Sequence, residues 1–395
     1  MHKLRRKNQD FRHGRSPQPF SGFLRLFANR LPFRHSISEL NMKKTLVAAV
    51  LSGLLSAAAY AQSSVNIYGI LDTGLIKESG SDVRMGDYMS SRIGFRGTED
   101  LGNGLKATFE LEQRFRLNDG TPSSSYSWDE KLRNRLGRND DTQWTGYANV
   151  GLAGQWGAVR LGRVMSLVAE TFTMIDPFDQ NGIASSYSVN SLLHSHFLSD
   201  TVRYDSPNMN GFELGLTYTL GDDKHGDSAE DRFVRREGND GFAINPRYRN
   251  GPVLLLANFE RVTDSGNSYL WDVGGTYQWG DLRLFLGYER TVFKLDELVG
   301  KAGNQSEWLT GLLYRMGPHI ILASYNRGEI DAGIYDGHAN KYAVGYNYEF
   351  SKRTTLYSSL TYVDNSDPTI GAIYNSNGTE RSSMTGVQIG LNHKF

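Results

Sequence analysis

A chain of 395 residues could make two or three ordinary domains or one large closed sheet. The absence of cysteine excludes disulfide frameworks, thiolate metal sites and cysteine nucleophiles. Acidic and basic residues balance at 43 each, but residues 1–61 hold 11 of the bases and only 2 of the acids, so the remainder carries about nine excess acids, which argues against nucleic acid as a partner.

The first 41 residues, opening "MHKLRRKNQDFRHGRSPQPF", are basic and unpatterned. They read as an unstructured stretch that precedes the true translation start, or as an extended leader. From Met42 follow Lys43 and Lys44, a short apolar run rich in Ala and Ser, and Ala59-Tyr60-Ala61. That order is a secretory signal over 42–61, with cleavage before Gln62. A short membrane anchor is the alternative reading of the run.

No later stretch approaches the roughly 18 continuous apolar residues of a spanning helix. A period of two recurs instead. In "KATFELEQRF", Ala107, Phe109, Leu111 and Phe115 alternate with Thr108, Glu110, Glu112 and Arg114. The same holds for Phe212 to Tyr218, Leu282 to Tyr288, Tyr342 to Phe350, and the C-terminal Val387, Ile389, Leu391 and Phe395. About sixteen such strands are expected, near 64–73, 89–98, 104–116, 142–152, 156–164, 200–206, 211–220, 241–249, 252–262, 268–279, 282–293, 305–316, 319–328, 339–350, 353–364 and 383–395.

Short turns such as "RNGP", "WGD" and "MGP" alternate with long polar loops near 74–88, 117–141, 165–199, 221–240, 294–304, 329–338 and 365–382. A sandwich or propeller explains alternation within strands but not this rhythm, which belongs to a transmembrane barrel over 62–395. Hydrocarbon tolerates no unpaired backbone group, so the sheet must close and the last strand must meet the first.

"SSVNIYGILDTGL", "SSRIGFRGTEDLGNGLKATFELE", "VGLAGQWGAVRLGR", "DTVRYDSPNMNGFELGLTY" and the terminal "GLNHKF" resemble the trimeric general porins of Gram-negative outer membranes, in the branch carrying SRxGFxGxEDLGxGL. The resemblance covers essentially the whole chain after the signal. It implies an all-β, sixteen-stranded antiparallel transmembrane barrel that passes small hydrophilic solutes and ions. It further implies a third long loop folded into the lumen, a homotrimer in outer-membrane lipid, and recognition of Phe395 by the barrel-assembly machinery. The sequence departs from the family where a basic residue is common: "QWTGYANVGL" has Gln143, Thr145 and Tyr147.

The expected pore constriction combines wall charges with charges on the loop 165–199. Arg92, Arg96, Arg114, Arg116, Glu110 and Glu112 come from the second and third strands. Arg160, Arg163 and Arg203 bracket the loop, which carries Glu170, Asp176 and Asp179. A loop of about 35 residues is far longer than a hairpin needs, and acids on it facing arginines would set a transverse field. Any one of these charges could equally be an ordinary solvated residue, and Met165, Leu167 and Val168 could simply pack the loop to the wall. His194 and His196 are incidental rather than a metal site, and nothing points to a cofactor. An outer-membrane barrel hydrolase or a substrate-specific channel is the alternative, against which no GxSxG is present.

Overall fold

The structure, a computed structural model, describes residues 64–123, 143–186, 196–220, 240–262, 268–294, 303–332, 335–366 and 382–395. The expected segments 1–41 and 42–61, the cleavage point at Gln62, His194 and parts of the long loops lie outside these residues. The strands in chain order are β1 (Ser64–Glu78), β2 (Arg84–Gly86), β3 (Ser91–Gly102), β4 (Leu105–Phe115), β5 (Ala148–Gly154), β6 (Gly157–Met165), β7 (Phe197–Asp205), β8 (Phe212–Thr219) and β9 (Gly241–Asn250). They continue as β10 (Val253–Val262), β11 (Tyr269–Trp279), β12 (Leu282–Phe293), β13 (Gly303–Met316), β14 (His319–Ala332), β15 (Tyr335–Glu349), β16 (Thr354–Asn365) and β17 (Ser383–Lys394). Among the described residues one helix, α1 (Leu167–Ile175), stands between β6 and β7.

All strand pairs are antiparallel, and the sheet closes. β1 pairs with β3 from Ser64↔Thr98 to Ile70↔Arg92, then with β17 from Ile70↔Lys394 to Glu78↔Gly386. β2 is a three-residue patch on β1, so sixteen strands make the wall, as expected. The final residue is part of the seam. Gly69 and Phe395 exchange both backbone hydrogen bonds at 3.1 Å. The Phe395 ring lies on Gly69, where an added Cβ would come within 2.3 Å of its Cζ. Just inside the seam, buried Asp72 accepts from Asn392 Nδ2, Tyr357 Oη and the Tyr88 backbone, each at 2.8 Å. One carboxylate thereby ties β1 to β16 and β17.

Two differences from the expected strands share a cause. β1 runs on to Glu78, and β14 and β15 run on to Ala332 and from Tyr335, so most of the expected loop 329–338 is strand. Side chains such as Glu329, Asp331 and Asp336 read as loop by polarity. The ladder, however, is made by backbone groups, and pairs such as Glu329↔His338 continue it whatever the side chains are.

The apolar phase of the strands faces outward and stays exposed in the single chain, as at Val65, Ile67, Leu286, Val344 and Val387. Its aromatic content is uneven. Tyr218, Tyr248, Trp271, Tyr277, Trp279, Tyr288, Trp308, Tyr314, Tyr342, Tyr346 and Tyr362 stand on this phase along β8 to β16. Trp271, Tyr288 and Trp308 pack in sequence as tilted rings, at 5.2 and 4.5 Å between ring centroids. Along β17, β1 and β3 to β6 the same phase carries Val, Ile, Leu and Phe but neither Tyr nor Trp.

Candidate functional site

The segment after β6 is organised from its first residue. Ser166 caps α1, its Oγ accepting from Ala169 N at 3.1 Å, and its own N–H bonds the His196 carbonyl, closing the base of the loop. Val168, Phe172 and Ile175 fall on one helical face and are fully buried against Leu254, Leu256, Leu270 and Ile330. That 4-then-3 spacing behind a serine was the available sign of a helix. Leu167 and Val168 are indeed packing residues. Glycines on the polar phase of the strands leave the room: a Cβ on either Gly274 or Gly287 would lie 2.6 Å from Ile175 Cδ1, and one on Gly345 would lie 2.6 Å from Phe178 Cε1.

Polar contacts hold the same segment along its length. Asn245 Nδ2 reaches Thr171 Oγ1 at 3.3 Å, and Asn258 Nδ2 donates to the same oxygen. Tyr88 Oη donates to the Phe178 carbonyl at 2.9 Å, and Ile183 N to Gln388 Oε1 at 3.2 Å. Lys341 Nζ donates to the Ser185 carbonyl.

The expected charges divide into three groups. Around Glu112, Arg114 Nε bonds Oε1 at 2.8 Å and Arg92 stands 3.8 Å away, while Tyr68 Oη donates to Glu110 at 2.9 Å and to Glu112 at 3.1 Å. Arg96 is exposed, with its guanidinium carbon 5.0 Å from the Tyr68 ring centroid. The second group is centred on Arg203. It bonds Glu170 of α1 at 2.5 Å and Asp205 at 2.8 Å, Arg160 bonds Asp205 at 2.5 Å, and Arg247 bonds Glu170 at 3.0 Å. Here a loop acid does meet wall arginines, as expected of Glu170. Asp205 and Arg247 were not anticipated, although both sit in the polar phase of their strands.

The third group departs from expectation. Arg116 lies beyond the end of β4, exposed on the long-loop rim. Arg163 sits at a bulge between Gly162 and Val164, donating to the Thr145 carbonyl and to Ser199 Oγ at 2.8 Å, so it braces the loop base. Asp176 faces neither water nor a wall arginine. It is fully buried, and its two oxygens accept from Phe178 N at 2.9 Å and Ser186 N at 2.8 Å. An acid that satisfies its own loop's backbone looks the same in sequence as one that faces a pore. Burial raises its carboxyl above the usual range. Asp179 is exposed and left-handed, at φ 51°. Protein crowding and nearby Asp176 push its carboxyl up to about 7, against the opposing pull of Lys394 and Arg283.

A further row of acids, unforeseen because each sits singly in its strand, runs across β11 to β13. Asp272 pairs directly with Glu289, and Glu289 with Glu307. All three are sealed from water.

The sequence matches the profile of a family described as Gram-negative porin over residues 45–368. The chain belongs to that family. Among curated relatives, outer membrane porin protein 32 of Delftia acidovorans is 30% identical over 384 residues, covering 90% of this chain and all of that one. The major outer membrane protein P.IB of Neisseria meningitidis serogroup B is 26% identical over 385 residues, again covering 90% and 100%. Among solved structures, an anion-selective porin from Comamonas acidovorans superposes with a TM-score of 0.68 at 26% identity, covering 85% of this porin and 100% of that chain. The porin resides in the outer membrane, and its wall of sixteen strands crosses the bilayer.

Proposed function

We propose that this porin is a diffusion channel, not an enzyme, for small hydrophilic solutes and ions. In this reading the loop 165–199 folds into the lumen and narrows it against the arginines of β3, β4, β6, β7 and β9. The observation that carries it is the bridge from Glu170 on α1 to both Arg203 and Arg247, which pins loop to wall across β7 and β9. The section so bounded is charged on both sides, which orients dipolar solutes and discriminates ions. Acids are mostly spent: Glu112, Glu170 and Asp205 are ion-paired, and the row from Asp272 to Glu307 is sealed. Arg96 remains exposed. A mild preference for anions follows, in keeping with the anion-selective relative. In a planar bilayer the purified protein is expected to give stepwise conductance, with a reversal potential in a salt gradient displaced toward the anion potential. Absence of conductance, or turnover of ester or peptide substrates, would sink the channel reading; a displacement toward cations would sink the selectivity.

The break in the aromatic girdle supports a homotrimer. Tyr and Trp suit the water–lipid boundary, so a face lacking both suits a neighbouring copy. That face is formed by β17, β1 and β3 to β6. Unboiled protein is expected to migrate as a trimer and boiled protein as a monomer; a single monomeric species after mild extraction would refute the assembly. The same reading takes 42–61 as the export signal and Phe395 as the element read by the assembly machinery. N-terminal sequencing of exported protein should begin at Gln62; retention of residues 1–41 would overturn both the signal and the start at Met42.

A further inference from the structure

Beneath the loop, on the side toward the short turns of β9–β10 and β11–β12, lies a cleft of about 460 Å³. It is separate from the arginine cluster around Glu170. Its size falls within the range of small-molecule sites. Met174 of the loop and Phe285 and Leu313 of the wall give it an apolar floor. Arg249 and Arg283 stand in its lining, both exposed. Arg283 is steadied by Nε donating to Gln278 Oε1 at 2.8 Å, which leaves its terminal nitrogens available, and its guanidinium carbon lies 6.0 Å from the Phe285 ring centroid. Neither guanidinium has a carboxylate within ion-pair distance among the described residues, unlike those of Arg114, Arg160, Arg203 and Arg247. Asp179 is the one acid in the lining.

We propose that this cleft is a binding subsite for small amphipathic organic anions, an apolar body bearing one carboxylate. The apolar floor takes the body, and the exposed guanidinium groups of Arg249 on β9 and Arg283 on β12 give the cleft a cationic lining for the carboxylate, a group whose planar geometry a guanidinium matches. Two positive charges against one negative leave the cleft attractive to an anion. An inorganic anion would use the charge but not the floor; a neutral aromatic would use the floor but not the charge. The subsite rests on the reading of the polar phase as a water-filled lumen, since solute must reach it. It would make the porin favour amphipathic acids over other solutes of equal size.

The test is equilibrium titration of the folded, detergent-solubilised protein with 2-naphthoate, followed by the probe's fluorescence, with acetate and 2-naphthalenemethanol as controls. Binding near the millimolar level is expected of a ligand of this size. The double variant R249Q/R283Q should weaken it at least about tenfold, R249K/R283K should retain part of it, and Asp179→Asn should tighten it. Because both arginines are exposed, the variants should fold, which retention of heat-sensitive mobility and open-channel conductance verifies. Unchanged affinity in R249Q/R283Q, or acetate or the neutral alcohol binding as tightly as 2-naphthoate, overturns the proposal. A protein that conducts but does not bind 2-naphthoate loses the subsite and keeps the channel; one that binds but never conducts loses the channel alone.

Discussion

Replacing Asp176 with alanine should release the turn of the loop while leaving the barrel closed. The carboxylate accepts two backbone N–H groups, from Phe178 at 2.9 Å and Ser186 at 2.8 Å, at a site without exposure. A hydrogen bond to a charged group contributes about 1.5–3 kcal/mol, so losing both costs about 3–6 kcal/mol. Water admitted from the lumen can re-satisfy the freed donors, which puts the expected loss near the lower end. About 3 kcal/mol multiplies the population of undocked loop roughly 150-fold. None of that loss falls on the wall, whose ladder is backbone to backbone from β1 round to β17. Single-channel recordings should therefore show larger and noisier openings and passage of larger neutral solutes, while heat-sensitive mobility on gels is unchanged. Asp176→Asn keeps one acceptor and should fall between the two. If Asp176→Ala conducts as quietly and excludes solutes as sharply as the parent, Asp176 does not hold the turn.

Other outcomes follow from the same geometry. Deleting Phe395 removes a half-exposed ring and both of its backbone hydrogen bonds to Gly69, and should lower barrel stability by about 1–3 kcal/mol but cut assembly in cells far more; equal yields of assembled protein would remove its role in docking. Gly69→Val places a side chain where the Phe395 ring lies and should reproduce the stability loss with the terminal residue still present, read as a lower temperature of trimer or barrel unfolding. Asp179, held up to about 7, should be neutral below that pH and ionised above it, so anion preference should grow as pH falls through this window. Asp179→Asn should flatten that pH dependence of the reversal potential; an unaltered curve would assign the titration elsewhere, histidines included. Arg96→Gln should reduce anion preference without altering assembly, because the side chain is exposed and has no ion pair among the described residues.

The sixteen strands and their closure were legible because the bilayer imposes a repeated demand. Every strand must turn one apolar face outward, and a period of two records it residue by residue, down to Phe395 opposite Gly69. Phase also told which arginines share the polar side, and Glu170 meets Arg203 as the sequence suggested. Tertiary structure decided what each polar residue does once there. Asp176 and Asp179 stand three positions apart on one loop, yet one is consumed by backbone amides and the other is exposed. The rim strands outlast their apolar residues because ladder bonds do not depend on side chains. Arg249 and Arg283 acquire a shared cleft only because α1 and the turn after it lie across the strands that carry them. Periodicity is local and survives in one dimension; pairing of charges depends on which strand lies opposite which loop, and that is settled only when the sheet closes.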